Sequence, residues 1–273
     1  MRVAAAQIDI AIGQTDQNLK KILSRMNDAA QNKAELVIFP ECSLQGYCFA
    51  TRDEAWAVGE EISGAACARL ADEAKKLGCT AIIGFLERQG ENLFNSALIV
   101  GPRGVLGVHR KIHLLHLGVD RFTTLGDIPF PLFQAGDCKF GVNICYDCSF
   151  PESGRAVKLK GAQLLAIPTN WPSTSDSWEH TPKVRATENH IFVVAADRVG
   201  EERGFTFAGH SQIIDCEGHT LAEAGATEET ILYADIDPAL ADNNRVIKVP
   251  GEYEFDRIAS RRPEMYGALG EEK

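Results

Sequence analysis

The chain has 273 residues, 45% hydrophobic and 24% charged, an ordinary soluble-protein balance with enough length for a substantial core. Its formal charge of −10, with no Lys/Arg cluster to offset it, excludes the electrostatic footprint of a nucleic-acid partner. The opening MRVAAAQIDI lacks the roughly 7–15-residue apolar core of a signal peptide, and no apolar run approaches the roughly 20 residues of a membrane span.

In chain order, residues 2–10 read as a first strand. An amphipathic helix follows, with Leu19, Ile22, Leu23 and Met26 at helical spacing and Thr15 or Asp16 as its cap. Residues 36–39 form a short buried strand that delivers Pro40 and Glu41. Cys67, Leu70, Ala71, Ala74 and Leu77 make a second amphipathic face, stopped by Gly78 just past the helix end. Residues 80–85 and 95–100 are strands, and the turn at 101–104 leads into 105–110 as a hairpin closed by Lys111. The irregular stretch from there to Pro131 is longer than compact domains tolerate unless it lines a site.

Residues 140–145 read as a strand ending on Cys145. A helix is expected over 153–160, and a strand over 162–167 runs into Pro168-Thr169-Asn170-Trp171-Pro172. A helix over 184–190, a strand over 191–196, and strands near 210–215 and 231–236 joined across Gly218 complete the pattern. From Pro238 onward the chain is polar and reads as a tail lying on a surface. No linker and no repeat of roughly 20–50 residues divides the sequence, so one domain over 1–273 is expected. Strands outnumber helices and the helices come in facing pairs, which predicts two packed sheets with helices outside. Eight scattered cysteines without a disulfide spacing fit reduced thiols in a cytoplasm.

The chemistry centres on GVNICYDCSFPE at 141–152, where an apolar run stops at Cys145. Strand C-terminal edges are where open α/β sheets bind ligands. Only a thiolate is strongly nucleophilic, so such a cysteine needs a base or a cation nearby. Glu41 follows LVIFP and Lys111 sits in VHRKIHL, each at the end of another apolar run. Singly, Cys145 reads as a small core residue, Glu41 as a solvated loop acid and Lys111 as a hairpin-end cation. Together they are the parts for acyl transfer. Two rivals use the same stretch. Cys145 and Cys148 with His113 and His116 have the spacing of four zinc ligands, but that reading leaves Glu41 and Lys111 without a role. The C-x-x-C also has redox spacing, without a thioredoxin-like strand order to carry it.

The segments LVIFPE (36–41), HRKIHL (109–114) and NICYDCSFPE (143–152) resemble the nitrilase superfamily of carbon–nitrogen hydrolases. IPTNWP (167–172), RATENHIFVVAADRVG (185–200), FAGHSQI (207–213) and RRPEMYG (261–267) extend the likeness over nearly the whole chain. The resemblance implies an α/β fold, an α-β-β-α sandwich of two sheets with outer helices. It also implies a homodimer or higher homo-oligomer, with the tail over 238–273 at the interface. It implies a thiol-dependent hydrolase that cleaves a non-peptide C–N bond of a small amide to acid and ammonia or amine through a Cys145 thioester, with no metal and no cofactor. N-carbamoyl compounds and nitriles suit the same triad, an inert binding subunit is a further alternative, and amide is favoured over nitrile because nitrile-cleaving relatives tend to be longer.

On these positions Glu41 is the base, and Lys111 with the backbone N–H of Tyr146 holds the oxyanion. Tyr47, Tyr146, Asn170 and Trp171 are the substrate-binding candidates, while Arg155 and Glu152 are expected to hold the loop after the nucleophile. One departure stands out. Many members carry a second glutamate between the lysine and cysteine motifs, and Asp120 takes its place here. Aspartate is one methylene shorter, and misplacement by about 1 Å can cost roughly a hundredfold in rate.

Overall fold

A computed structural model describes residues 1–270. The elements are β1 (Arg2–Gln7), α1 (Thr15–Gln31), β2 (Leu36–Ile38), α2 (Arg52–Val58), α3 (Ala65–Leu77), β3 (Thr80–Gln89), β4 (Asn92–Gly101) and β5 (Gly104–Arg110). After a long connection come β6 (Leu132–Ala135), β7 (Cys138–Val142), α4 (Pro151–Leu159), β8 (Leu164–Pro168), α5 (Ser177–Asn189) and β9 (Phe192–Ala196). The remainder is β10 (Glu201–Glu202), β11 (Phe205–Thr206), β12 (Gln212–Ile214), β13 (Thr220–Glu223), β14 (Thr230–Asp235), β15 (Arg245–Val249) and β16 (Tyr253–Asp256).

Two six-stranded mixed sheets result, in the orders β14-β1-β2-β3-β4-β5 and β13-β12-β9-β8-β7-β6. In each, two neighbouring pairs are parallel (β1/β2 and β2/β3; β7/β8 and β8/β9) and the rest antiparallel. Side chains alternate along a strand, so one sheet feeds two cores. Val3, Ala5, Leu36, Ile38, Ile82, Ala97 and Ile99 face the second sheet, where they meet Phe140, Val142 and Ala166. Ala4, Ala6, Val37, Ala81, Ile83 and Leu98 face the other way, onto Leu19, Ile22 and Met26 of α1 and Leu70 and Ala74 of α3. On the second sheet Val157 of α4 and Ala186 of α5 join the core. The expected α-β-β-α layering is what these two faces build.

Several elements differ from expectation for local reasons. Thr15 and Asp16 do not cap α1; they are its first two residues, and Asp16 lies where an anion suits the helix dipole. Ahead of them, the Asn18 side chain ties down the chain by accepting from Ala11 N and donating to Ala11 O and Leu44 O. Helix α5 begins at Ser177 and contains Pro182, whose missing N–H would have bonded Trp178 O. That carbonyl accepts from Gln212 Nε2 at 3.1 Å instead, so the helix runs through the proline. The polar stretch after Pro238 holds the β15/β16 hairpin. The short elements α2, β6, β10, β11 and β13 carry too little periodicity to be read from sequence.

Gly84 in β3 shows how tightly the sheet is built around one loop. A Cβ there would lie 2.3 Å from Pro40 O, 2.4 Å from Cys42 N and 2.7 Å from Glu41 C, all of them backbone atoms. Gly84→Ala is expected to destabilise the protein by about 3 kcal/mol, the upper range for overpacking. Urea titration of the variant against wild type checks it, and an unchanged midpoint would contradict this packing.

Candidate active site

Glu41 lies three residues beyond β2, Lys111 directly after β5, and Asp120 in a 3-10 turn over Gly118–Arg121. Strand β7 stops at Val142, so Cys145 is not the last residue of a strand, as expected from its apolar run. It opens a 3-10 turn over Cys145–Ser149 with φ of +46°, in the left-handed region that non-glycine residues seldom occupy. The turn lifts the thiol off the sheet edge. Glu41, Lys111, Asp120 and Cys145 are all buried.

The polar atoms form a closed circuit. Lys111 Nζ donates to Glu41 Oε1 at 2.7 Å and to Asp120 Oδ2 at 2.6 Å. Asn95 Nδ2 donates to Glu41 Oε1 at 2.6 Å and to Asp120 Oδ1 at 2.8 Å. Two carboxylates thus share one ammonium and one amide. Both donors use Oε1 of Glu41, and its buried Oε2 has no partner among the described residues. Asp120, though shorter than glutamate, reaches the lysine directly.

Burial raises the Glu41 carboxyl above its ordinary pKa; Lys111 opposes the rise and the Asp120 charge adds to it. For Lys111 burial alone would favour the neutral amine, but the Asp120 and Glu41 carboxylates override it and hold the ammonium well above its usual range. The Cys145 thiol is pushed well up by burial and by the Glu41 charge, against the pull of Lys111, the Thr169 hydroxyl and the Asn170 backbone N–H. The resting thiol therefore keeps its proton, and attack requires a base beside it.

Of the expected substrate-binding residues, Tyr47 and Asn170 are tied into the frame. The Tyr47 hydroxyl donates to Leu117 O at 3.1 Å and its ring lies 5.9 Å from Lys111 Nζ. Gly118 presses on that ring so closely that a Cβ would come within 2.3 Å of it. Asn170 Nδ2 donates to the Glu41 carbonyl at 2.9 Å, bonding the second sheet to the first. Trp171 is buried, and its backbone N–H donates to Asp197 Oδ1 at 3.1 Å. Tyr146 alone of the four reaches solvent, its ring edge-on to Phe150 at 5.2 Å.

Arg155 and Glu152 do not hold the nucleophile loop. Arg155 donates to Glu188 O and Arg257 O, and both line a cavity of about 520 Å³ between α4 and the tail, away from Cys145. Arg185 holds the loop instead, donating to Cys148 O at 2.7 Å and Ser149 O at 3.4 Å. Its position in RATENHIFVV gives no hint of this, because the loop it serves is 37 residues away.

Asp147 is the other loop anchor, and it stands only two residues from Cys145. Its carboxylate accepts from the backbone N–H groups of Ile112, His113 and Ile144, and lies against His113 Nδ1 at 2.8 Å and His109 Nε2 at 3.3 Å. Those bonds outweigh its burial and hold the carboxyl far below the usual range. The lysine strand end and the nucleophile turn are thereby clamped to one side chain. Glu202 does the same for the base loop, accepting from Tyr47 N and Cys48 N at 3.0 and 2.8 Å. With His113 on Asp147, the four residues of the zinc alternative do not converge; among the described residues no three His, Cys, Asp or Glu side chains form a metal-holding group. No described helix is long and apolar enough to cross a membrane.

The family model described as carbon-nitrogen hydrolase matches residues 2–245. The chain is 38% identical over 270 residues to a nitrilase of Pyrococcus abyssi, covering 97% of this chain and 99% of that one. It is 37% identical over 234 residues to an omega-amidase of Xenopus tropicalis, covering 81% and 83%. In structure it matches an amidase from Nesterenkonia sp. with a TM-score of 0.82 and 25% identity, over 98% of this chain and 96% of that one. Matched by one family model from the first strand to the start of the final hairpin, the chain belongs to the carbon-nitrogen hydrolase family.

Proposed function

We propose that this carbon–nitrogen hydrolase cleaves small amides through a thioester on Cys145. The observation that carries the reading is the state of Glu41, whose Oε1 takes two donors while its buried Oε2 is left without a partner, and whose charge acts on the buried Cys145 thiol. Glu41 takes the thiol proton as the sulfur attacks the amide carbonyl. Lys111 and the Tyr146 backbone N–H stabilise the oxyanion. Glu41 then gives its proton to the departing nitrogen, and ammonia or amine leaves. A water, deprotonated by Glu41, attacks the thioester, and collapse releases the acid and restores the thiol. Asp120 holds Lys111 charged and in place. Substrate reaches Cys145 past Tyr146, the partly open side of the site, with Trp171, Asn170 and Tyr47 behind.

The omega-amidase name of the Xenopus relative and the solved amidase support an amide as substrate. A nitrile is the second reading, supported by the name of the Pyrococcus relative. Ammonia release from purified protein against a panel of amides, N-carbamoyl amino acids and nitriles decides between them. Turnover of amides alone supports the first reading; release from nitriles alone would replace it.

The chain works, in this reading, as one domain in a reducing cytoplasm, for which its eight unpaired cysteines are suited. It forms a homodimer or higher oligomer through the stretch after Pro238. Leu240, Tyr253, Met265 and Leu269 are each more than half exposed there, an apolar set in need of a surface. Light scattering at micromolar concentration should report at least twice the 29.8 kDa chain mass. A monomer would count against the interface.

A further inference from the structure

Asn95 is the only uncharged member of the circuit, and the mechanism above gives it no part. Both N–H bonds of its amide go to carboxylates, one on Glu41 Oε1 and one on Asp120 Oδ1. Turned over, the amide would point its oxygen at two carboxylates, setting acceptor against acceptor. What holds it the right way round lies on its other side. Asn95 Oδ1 faces Cys42 Sγ at 3.5 Å, and only a protonated thiol can donate there. Cys42 is buried, and burial with the nearby Glu41 and Asp120 charges keeps its thiol protonated. It adopts a left-handed φ of +48° where the loop passes over Gly84, directly after Glu41. The Asn95 carbonyl also accepts from Lys111 N at 2.8 Å, so one residue registers the base, the anion and the lysine's backbone.

We infer that Asn95 is a positioning residue that occupies Glu41 Oε1 so that proton transfer runs through Oε2, and that the Cys42 thiol fixes the amide in that orientation. The inference rests on Glu41 being the base. Around Glu41 stand Lys111 at the end of β5, Asp120 in its 3-10 turn, Cys145 from the second sheet and Asp197 beyond β9, with Cys42 and Tyr47 on its own segment. Only Lys111 among them is positive. With Lys111 shared between two carboxylates, the Asn95 amide is the second donor on Glu41, and its bond favours the ionised carboxylate against the upward push of burial.

The test follows the pH dependence of Cys145 alkylation by iodoacetamide, scored on the Cys145 peptide by mass spectrometry because seven other cysteines are present. Asn95→Asp keeps the shape, removes the donor and adds a like charge. The ionised form of Glu41 is then disfavoured, so the acid limb should move to higher pH by about one unit or more. In amide turnover kcat should fall about ten- to hundredfold, with KM within about threefold. Asn95→Ala should move the limb the same way by less. Cys42→Ala should reproduce part of the shift, and Cys42→Ser, which keeps a donor, should restore most of the wild-type profile. This second pair reads the same limb if the Asn95 variants do not fold. An acid limb unmoved in folded Asn95→Asp, or in Cys42→Ala where neither Asn95 variant folds, overturns the role of Asn95. A Cys42→Ala profile matching wild type overturns the role of the thiol. Alkylation needs no turnover, so a failure of the hydrolase reading would show separately, as a normal alkylation profile without ammonia release.

Discussion

Cys145→Ala is expected to lower amide turnover by roughly four orders of magnitude or more, about 5.5 kcal/mol of barrier, because the sulfur is a reactant. The protein should remain folded. Alanine removes one buried atom, the strained φ of +46° is common to both residues, and the turn is held by Asp147 and Arg185 rather than by the thiol. Mixing wild type with a slow amide should add the acyl mass to the Cys145 peptide, while the alanine variant gains none. Turnover at the wild-type rate in a folded variant would end the nucleophile assignment.

Asp120→Asn carries the second large effect, and its sign on pH is opposite to that of the Asn95 variant. The Asp120 carboxylate, 2.6 Å from Nζ, is the main support for the charge on Lys111 and also raises the Glu41 pKa. Removing its charge leaves the lysine paired with Glu41 alone. The ammonium is drawn onto the base, Glu41 becomes easier to ionise, and the acid limb of kcat/KM moves to lower pH. A more acidic base is a weaker one, and an ammonium held by Glu41 is less available to the oxyanion. We expect kcat to fall about ten- to a thousandfold, about 1.4–4 kcal/mol, with smaller changes in KM. Acyl-enzyme should still form slowly, since Glu41 and Cys145 remain. Asparagine at wild-type rate would mean that the site runs on three residues.

Glu41, Lys111 and Cys145 were legible because each follows an apolar run, and a strand end is where a reactive side chain can be both held and reached. Asp120 was legible only through its resemblance to a family position, and in the structure the shorter acid, carried on a 3-10 turn, contacts Nζ directly. Asn95 sits inside a strand, where nothing but the Asn-Ser pair in an otherwise apolar NSALIV run signals that two polar side chains have buried partners. Arg185 and Glu202 left no such trace. The loop groups they hold are backbone atoms 37 and 154 or more residues away, and a backbone N–H or C=O has no letter in the sequence. The left-handed turn at Cys145 was hidden for a related reason. The apolar run continues to Ile144, but the last bond to the neighbouring strand is made by Asn143 N, and hydrophobicity does not distinguish a paired residue from one that merely packs.

The placement of the reactive groups on facing sheets divides the chemistry between the two halves of the chain. In the proposed mechanism the groups that move or balance protons, Glu41, Asn95, Lys111 and Asp120, are encoded before residue 122, and the sulfur with the Tyr146 amide comes after residue 144. Neither half is chemically competent by itself. The first has a base with nothing to deprotonate, and the second has a thiol with no base to deprotonate it. A chain emerging N-terminus first thus finishes its base and cation long before its nucleophile exists, and the reactive thiol is assembled only as the two sheets close over their shared core. In the proposed mechanism, docking of the halves, to which the Asn170 bond to the Glu41 carbonyl contributes, brings base and thiol into one site.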